Sequence, residues 1–286
     1  MSLNQGASQE AIQYHYDVGN EFYAPWLGPT MIYSAAVWPD TPDRTIALDD
    51  AQNTKLDWHI GQAAIPKGGR LLDIGCGWGG TMRRAIDSAG IGEAVGLTLS
   101  DAQAEWIRAH HADLPVSVQV CPWQAFRDPA QFDGIISIGA FEHFARPEMD
   151  RAAKVTHYAD FFRFCADSLK PGGRLSLQTI VWMNVAPEDE VKNLPLHIFP
   201  ESNLPHVPEV FEAAAPYFHP MEFHNRPRDY SRTLREWIKR LGANRAELAA
   251  MTSAETVKRY RDGFAGFVLG FETGVIGLTR YGFLKR

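Results

Sequence analysis

Residues 71–80 read LLDIGCGWGG, an apolar run that ends in an aspartate and a cluster of glycines. A short apolar run bounded by glycine is typical of a buried strand. Glycines allow the chain to turn tightly and allow a ligand to approach the backbone closely. The stretch therefore predicts a strand, a ligand-binding turn and a helix in succession. A glycine turn with a purely structural role is the alternative.

The spacing Gly75-x-Gly77-x-x-Gly80 also fits the fingerprint of dinucleotide-binding enzymes. Such an enzyme is expected to carry an acidic residue near the end of its second strand, about 20 residues further on, for the ribose hydroxyls. Here that strand ends in GLTLS (96–100), without an acidic residue. Asp73, just before the glycines, suits a positively charged amine such as that of S-adenosylmethionine. We therefore favour an S-adenosylmethionine site over a nicotinamide site.

Strand-like and helical runs alternate between about residues 70 and 180. We expect strands at 70–74, 93–100, 116–120, 132–138 and 174–180, and helices at 80–90, 101–112 and 157–169. Such alternation predicts an α/β fold with a parallel sheet and right-handed crossovers. We expect a single domain over 1–286, with an N-terminal helical cover (1–60), a cofactor-binding core (61–180), a substrate lid (181–265) and closing strands (266–286).

The composition is that of a globular protein, with 45% hydrophobic and 22% charged residues among 286. No apolar run approaches the ~20 residues needed to span a bilayer, and the start MSLNQGASQE lacks the layout of a signal peptide. Three cysteines without a CxxC motif predict a reducing compartment and a cytoplasmic location. The net charge of −6 argues against a nucleic-acid partner. The histidines show no paired ligand spacing, so we predict no metal.

The stretch IGAFEHF (138–144) follows the fourth expected strand. Ligands of open α/β sheets bind beyond the carboxyl ends of strands, and the fourth strand is expected beside the first. Glu142 should therefore face the glycine loop, and burial between two phenylalanines should raise its pKa. His143, which would point elsewhere on a helix, is expected to serve the fold more than the reaction. A plain helix start is the alternative.

Four stretches match a known family closely: YHYDVGNEFYAPWLGPTMIYSAAVW (14–38), LLDIGCGWGG (71–80), VGLTLSDAQ (95–103) and SIGAFEHF (137–144). Weaker matches continue through IFPESNLP (198–205) and YSRTLREW (230–237). The chain resembles the cyclopropane fatty acid and mycolic acid cyclopropane synthases, which are S-adenosylmethionine-dependent methyltransferases. The resemblance implies a Rossmann-like class I methyltransferase fold with a seven-stranded, mostly parallel sheet and helices on both faces.

The resemblance also implies a binding site for S-adenosyl-L-methionine. Together with Asp73, its residues would be Tyr33, Ser34, Gly75, Gly77, Thr98, Leu99, Gln103, Trp123 and Gln124. Tyr33 and Ser34 would flank the cofactor, and Trp123 would lie near the adenine. A core aromatic is the alternative for Trp123.

A sulfonium methyl reacts when a nucleophile is held in line with it and water is excluded. An alkene that accepts the methyl becomes a carbocation, which aromatic faces stabilise. Candidates for that aromatic wall are Tyr16, Tyr33, Phe141, Phe144 and Tyr230. The resemblance implies a bicarbonate or carbonate base held partly by Glu142 and Tyr230. The catalytic candidates are therefore Glu142, Tyr230, Tyr16 and His143.

Two residues depart from the ring-forming members of the family. Ala35 stands where they carry Cys, and Gln178 stands where they carry His on the fifth strand. Loss of the His removes a possible cationic partner from the anion pocket. The two departures therefore favour simple C-methylation over cyclopropane formation.

Residues 229–245 predict an amphipathic helix with four basic side chains, Arg232, Arg235, Lys239 and Arg240. These residues form either a solvated face or a contact for anionic lipid headgroups, a diphosphate or a carrier-protein arm. Residues 181–215 are expected to form a lid over the cofactor. The sequence leaves the oligomeric state open.

We predict an enzyme that moves a methyl group from S-adenosylmethionine to carbon of a hydrophobic, unsaturated, fatty-acyl or lipid-like acceptor, with or without ring closure. One alternative is a small-molecule N- or O-methyltransferase in which Glu142 or His143 is a general base. A nicotinamide oxidoreductase and a non-catalytic lipid-binding relative are further alternatives.

Overall fold

The computed structural model describes residues 6, 8, 18–40, 45–128, 131–186 and 202–286. The helices within these ranges are α1 (Asn20–Leu27), α2 (Leu48–Ala63), α3 (Gly80–Ala89), α4 (Asp101–His110), α5 (Arg151–Ser168), α6 (Val207–Ala214), α7 (Pro227–Ala243), α8 (Arg245–Met251) and α9 (Ala254–Thr273). The strands are β1 (Arg70–Ile74), β2 (Glu93–Thr98), β3 (Val116–Val120), β4 (Phe132–Ile138), β5 (Leu169–Trp182), β6 (Phe218–Asn225) and β7 (Ile276–Lys285). One 3-10 turn covers Phe141–His143.

The seven strands form one sheet in the order β3-β2-β1-β4-β5-β7-β6. Strands β1 to β5 pair in parallel, and β7 is antiparallel to both of its neighbours, β5 and β6. This confirms the predicted α/β class and the mostly parallel, seven-stranded sheet. The strand order reverses at β1 and β4, and the loops after these two strands open at the same edge.

The central strands are apolar on both faces because helices cover both faces of the sheet. Leu71 of β1 and Ile136 of β4 pack with α2 and α3 on one face. Leu72 and Ile135 pack with α5 on the other face. Continuous apolar runs, rather than alternation, are therefore the pattern that these strands show in the sequence.

Most predicted element boundaries agree with the structure. The main exceptions are β5, which begins at Leu169 and not at residue 174, and α5. Helix α5 begins at Arg151, not at residue 157, because Asp150 caps it by accepting a hydrogen bond from the Ala153 N–H at 2.8 Å. The predicted start of α4 at residue 101 is confirmed, and Ser100 caps the helix because its hydroxyl accepts a hydrogen bond from the Gln103 N–H at 3.3 Å.

The C-terminal part of the chain differs from the prediction. Of the closing strands expected at 266–286, only Ile276–Lys285 is a strand, because 266–273 belong to α9. The remaining strand of the sheet is β6, which lies inside the stretch that we predicted as a lid. Residues 187–201 of that lid lie outside the described residues. None of the described helices is long and apolar enough to cross a membrane.

A second feature positions the site. A buried hydrophobic cluster rich in aromatic residues, here called the aromatic cluster, joins α1, α7 and α9. Its members include Phe22, Tyr23, Trp26, Trp38, Trp182, Trp237, Tyr260, Phe264, Phe267 and Phe271, with Tyr33 and Tyr230 packed against it. The cluster lies beside the carboxyl end of β5, since Ile180 and Trp182 belong to it.

Candidate functional site

The carboxyl ends of β1, β2 and β4 open onto a cavity with about 1030 Å³ of empty space, its open mouth included. All ten residues predicted for the cofactor line this cavity: Tyr33, Ser34, Asp73, Gly75, Gly77, Thr98, Leu99, Gln103, Trp123 and Gln124. His143 lines it as well, whereas Glu142 and Tyr230 do not. Tyr16 lies outside the described residues.

Gly75 brings the two central loops into contact. It has a φ of 79°, and a Cβ at this position would collide with the Cβ of Ala140, in the loop after β4. Gly77 has a φ of 54° and faces open space. Glycine is therefore needed at Gly75 both for the backbone conformation and for the close approach of the loops. The predicted juxtaposition of the loops after the first and fourth strands is confirmed.

The far end of the cavity offers the groups that an adenosine would need. The Thr98 hydroxyl donates to Gln103 Oε1 at 2.7 Å, so the amide nitrogen of Gln103 is the end that remains to donate. Gln124 Oε1 is buried without a hydrogen-bond partner and can accept from an amine. Trp123 presents its ring between the cavity and Phe161, whose ring centroid is 5.6 Å away.

Two buried charged residues lie at the end of the cavity next to Ser34, which is called the near end. Asp73 is 1% exposed, its Oδ2 has no hydrogen-bond partner, and burial raises its pKa to about 7. The Lys55 ammonium donates to the Ser34 hydroxyl at 2.8 Å, and burial lowers the pKa of Lys55 to about 7. Asp73 was predicted to belong to the site, whereas Lys55 was not.

Lys55 belongs to a polar stripe on the buried face of α2. Gln52, Lys55 and His59 recur at helical spacing, and all three are 0% exposed. Gln52 donates to the Ser34 carbonyl at 2.9 Å, and His59 shares a 2.7 Å hydrogen bond with the hydroxyl of Ser176. Polar residues on the core-facing side of a helix were the signal available in the sequence, but we treated residues 1–60 only as a cover.

Glu142 lies between the cavity and the aromatic cluster. Its Oε1 accepts a 2.7 Å hydrogen bond from the backbone N–H of Ile180, a member of the aromatic cluster. Its Oε2 is buried without a partner. Burial raises the pKa of Glu142 to about 7, as expected from its surroundings, although hydrogen bonds to the carboxylate oppose the shift.

His143 borders the cavity as a neutral group. Its Nδ1 shares a 2.7 Å hydrogen bond with the hydroxyl of Ser202, and burial lowers the pKa of His143 to about 4. The helix start considered for this stretch is a single 3-10 turn with Glu142 in it, and this turn ends before α5 begins.

A buried cation, Arg280 of β7, lies next to Gln178. The expected loss of a cationic partner from an anion pocket stays a prediction. The Arg280 Nε donates to Gln178 Oε1 at 2.7 Å, and its Nη1 donates to Asp229 Oδ2 at 2.8 Å. Its Nη2 donates to the Ala36 carbonyl at 2.9 Å. Arg280 and Asp229 form an ion pair with side chains 3% and 4% exposed. This residue pair was missed because nothing local in the sequence marks it.

The amphipathic helix predicted at 229–245 is confirmed as α7, and its basic residues have partners within the chain. Arg232 lies over the ring of Trp38 at 3.9 Å. The other three pair with acidic side chains, namely Arg235 with Glu272, Lys239 with Glu236 and Arg240 with Asp49. Among the described residues no group of three or more His, Cys, Asp or Glu side chains could hold a metal ion.

The comparisons with known proteins agree on one family. A family model described as mycolic acid cyclopropane synthetase matches residues 4–281. Cyclopropane mycolic acid synthase 2 of Mycobacterium leprae is 34% identical over 271 residues, which cover 88% of this chain and 85% of that protein. The S-adenosylmethionine-dependent methyltransferase UmaA of Mycobacterium tuberculosis is 33% identical over 293 residues, with 96% and 97% covered.

Solved structures lead to the same result. The crystal structure of the mycolic acid cyclopropane synthase CmaA1 complexed with SAH and CTAB matches with a TM-score of 0.85 at 30% identity. The match covers 98% of this chain and 99% of that one. The chain therefore belongs to the mycolic acid cyclopropane synthetase family and is an S-adenosylmethionine-dependent methyltransferase with the class I fold.

Proposed function

We propose that the enzyme transfers the methyl group to an alkene carbon of a fatty-acyl or lipid-like acceptor that lies in the aromatic cluster. The contact between that cluster and the cofactor cavity carries the proposal. Tyr33 lines the cavity, and its ring centroid is 5.3 Å from that of Trp26 and 5.2 Å from that of Trp237. The methyl donor and an apolar chain can therefore meet at Tyr33.

The aromatic surroundings suit the chemistry of an alkene. When bound, S-adenosylmethionine supplies a sulfonium methyl group, which is an electrophile. An alkene carbon that takes this methyl leaves a cation on its neighbour, and the faces of Trp26, Tyr33 and Trp237 can stabilise that charge. The buried cluster also excludes water that would capture the cation. The complex of the relative CmaA1 with CTAB, a long-chain alkylammonium, supports an acceptor with an apolar chain.

The residues also fit a bound bicarbonate or carbonate. The unpartnered Oε2 of Glu142 suits a ligand that donates a proton to it, and we propose Tyr230 as a second contact. Because Arg280 occupies Gln178 Oε1, the amide nitrogen of Gln178 becomes its donor end. Such an anion would supply a base, while Glu142 would hold it and Arg280 would add positive potential. Ala35 contributes no side-chain donor.

One observation favours the alternative of N- or O-methyl transfer. His143 borders the cavity as a neutral imidazole, which is the form that a general base requires. The proposal includes no contact with anionic lipid or a carrier protein, because the four basic residues of α7 have partners within the chain. The cytoplasmic location stays a prediction.

A matched pair of lipids tests the proposal. Purified enzyme is incubated with S-adenosylmethionine labelled in its methyl group and with phospholipids that carry either oleoyl or stearoyl chains. We expect label in the oleoyl lipid and none in the stearoyl lipid, because only the former has an alkene. Equal labelling of both, or labelling of a small amine or phenol alone, would overturn the alkene acceptor.

A further inference from the structure

Lys55 is a buried cation to which the methyl-transfer chemistry gives no role. It borders the cofactor cavity, and its direct partner in the described part of the chain is the neutral hydroxyl of Ser34. A buried ammonium group is usually paired with an anion, because its desolvation costs more than one neutral hydrogen bond returns. Within the part of the chain that the structure describes, Lys55 is therefore a cation at the cavity wall without a bonded anion.

Asp73 presents the opposite situation on the same cavity. Its Oδ2 is buried without a hydrogen-bond donor. Burial lowers the pKa of Lys55 and raises the pKa of Asp73, and the attraction between the two charges partly opposes both shifts. Lys55 donates no hydrogen bond to Asp73. The near end of the cavity thus offers a donor and an acceptor of opposite charge.

An α-amino acid group carries a carboxylate and an ammonium on the same carbon, and the methionine part of the cofactor is such a group. We propose that Lys55 binds the α-carboxylate of the cofactor's methionine part, opposite Asp73, which takes the ammonium. This inference rests on the proposed function, since it assigns a residue within the same cofactor site.

Helix α2 and its neighbours fix Lys55 for this role. Gln52, one turn earlier, donates to the Ser34 carbonyl, and His59, one turn later, bonds to Ser176 of β5. Both ends of the stripe are therefore attached, and the ammonium is preorganised at Ser34. Burial and, after it, the positive charge of Arg280 lower the pKa of Lys55, so an incoming carboxylate would relieve repulsion between two buried cations.

Three ligands distinguish binding of the cofactor's carboxylate from binding of the rest of the cofactor. S-adenosylhomocysteine has the whole amino-acid group, its decarboxylated analogue lacks only the carboxylate, and 5′-methylthioadenosine lacks both charges. Calorimetry would give the Kd of each ligand for the wild type and for Lys55→Met, Lys55→Gln, Asp73→Asn and the control Lys67→Met. Lys67 serves as the control because it does not line the cavity.

We expect the wild type to prefer S-adenosylhomocysteine to the decarboxylated analogue by about 10- to 100-fold, the range for a hydrogen bond between charged groups. Lys55→Met and Lys55→Gln should abolish this preference and leave the Kd of methylthioadenosine within about twofold of wild type. Asp73→Asn and Lys67→Met should keep the preference. The conservative Gln, which retains a donor for Ser34, separates loss of charge from loss of the Ser34 contact.

Two results would overturn the assignment. Either the Lys55 variants keep the wild-type preference, or they raise the Kd of all three ligands by the same factor, as substitution of a purely structural residue would. A wild type that binds none of the three would instead refute the proposed function itself. If the Lys55 variants do not fold, a crystal structure of the wild type with S-adenosylhomocysteine decides, since its carboxylate must then lie within hydrogen-bond distance of Lys55 Nζ.

Discussion

Glu142 owes its properties to a single turn of 3-10 helix that follows β4. The turn carries Phe141 into the core and leaves Glu142 6% exposed, with a hydrogen-bond donor on one carboxyl oxygen and none on the other. Burial raises the pKa of Glu142 to about 7, so the group changes its charge near neutral pH. The neighbouring His143 does not, because burial lowers its pKa to about 4. A pH profile around neutrality can therefore separate the two residues.

Glu142→Gln should reduce kcat about 100-fold or more, because the proposed anion contact needs a carboxylate. In the wild type at saturating cofactor, kcat should rise from pH 6 to pH 8, since the ionised fraction of Glu142 grows through its pKa of about 7. In the Glu142→Gln variant, the Kd of S-adenosylhomocysteine should stay within about twofold of the wild-type value, because Glu142 does not line the cofactor cavity.

The matched control is Glu148→Gln, which changes an exposed glutamate in the next loop and should leave both constants unaltered. A fully active Glu142→Gln variant, or one that keeps the wild-type pH profile at reduced rate, would contradict the placement of Glu142.

At the scale of elements, the long-range contacts of β7 and α2 are what the sequence did not reveal. Strands β1 and β4 and the glycine loop were predictable because apolar runs and glycine spacing are local patterns. Arg280 bonds to Gln178 102 residues earlier, and Lys55 bonds to Ser34 21 residues earlier. In the sequence, neither of these cations can be distinguished from an exposed Lys or Arg until the order of the strands is known. Of the ten residues predicted for the cofactor, Asp73 was named from its charge and its place before the glycines, and the other nine through family resemblance. All ten line one cavity in the folded chain.

The Arg280–Asp229 pair ties β7 to α7, the helix that carries Tyr230. Arg280→Met should lower the free energy of unfolding by about 3 kcal/mol, because it leaves the buried Asp229 carboxylate with only the longer, 3.6 Å ion pair to the half-buried Arg226. The double variant Arg280→Met/Asp229→Leu should recover most of that loss, since it removes both charges. Urea denaturation followed by circular dichroism would measure both.

Arg235→Met is the control, because its pair with Glu272 is exposed and should contribute about 1 kcal/mol or less. If the Arg280→Met variant were as stable as the Arg235→Met control, β7 and α7 would not depend on the buried pair.

At the scale of the whole molecule, two parts of the chain build the two halves of the site. The sheet and its loops supply the cofactor cavity, whereas α1, α7 and α9 supply the aromatic cluster. Tyr33 belongs to both, and Glu142 bonds to the cluster through Ile180. In the function that we propose, this arrangement would bring the carboxyl group, the methyl donor and an apolar acceptor together. The aromatic cluster could not be predicted as a unit, because its members are spread from residue 22 to residue 271.

The central claim is that the methyl group arrives on carbon of an unsaturated apolar chain. The most direct measurement uses S-adenosylmethionine with a trideuterated methyl group, the purified enzyme and an oleoyl lipid, followed by mass spectrometry of the product. We predict deuterium bound to carbon of the acyl chain. Three deuteriums would show methylation, and two would show that the ring has closed. A lipid without deuterium, or deuterium found only on nitrogen or oxygen, would contradict the account.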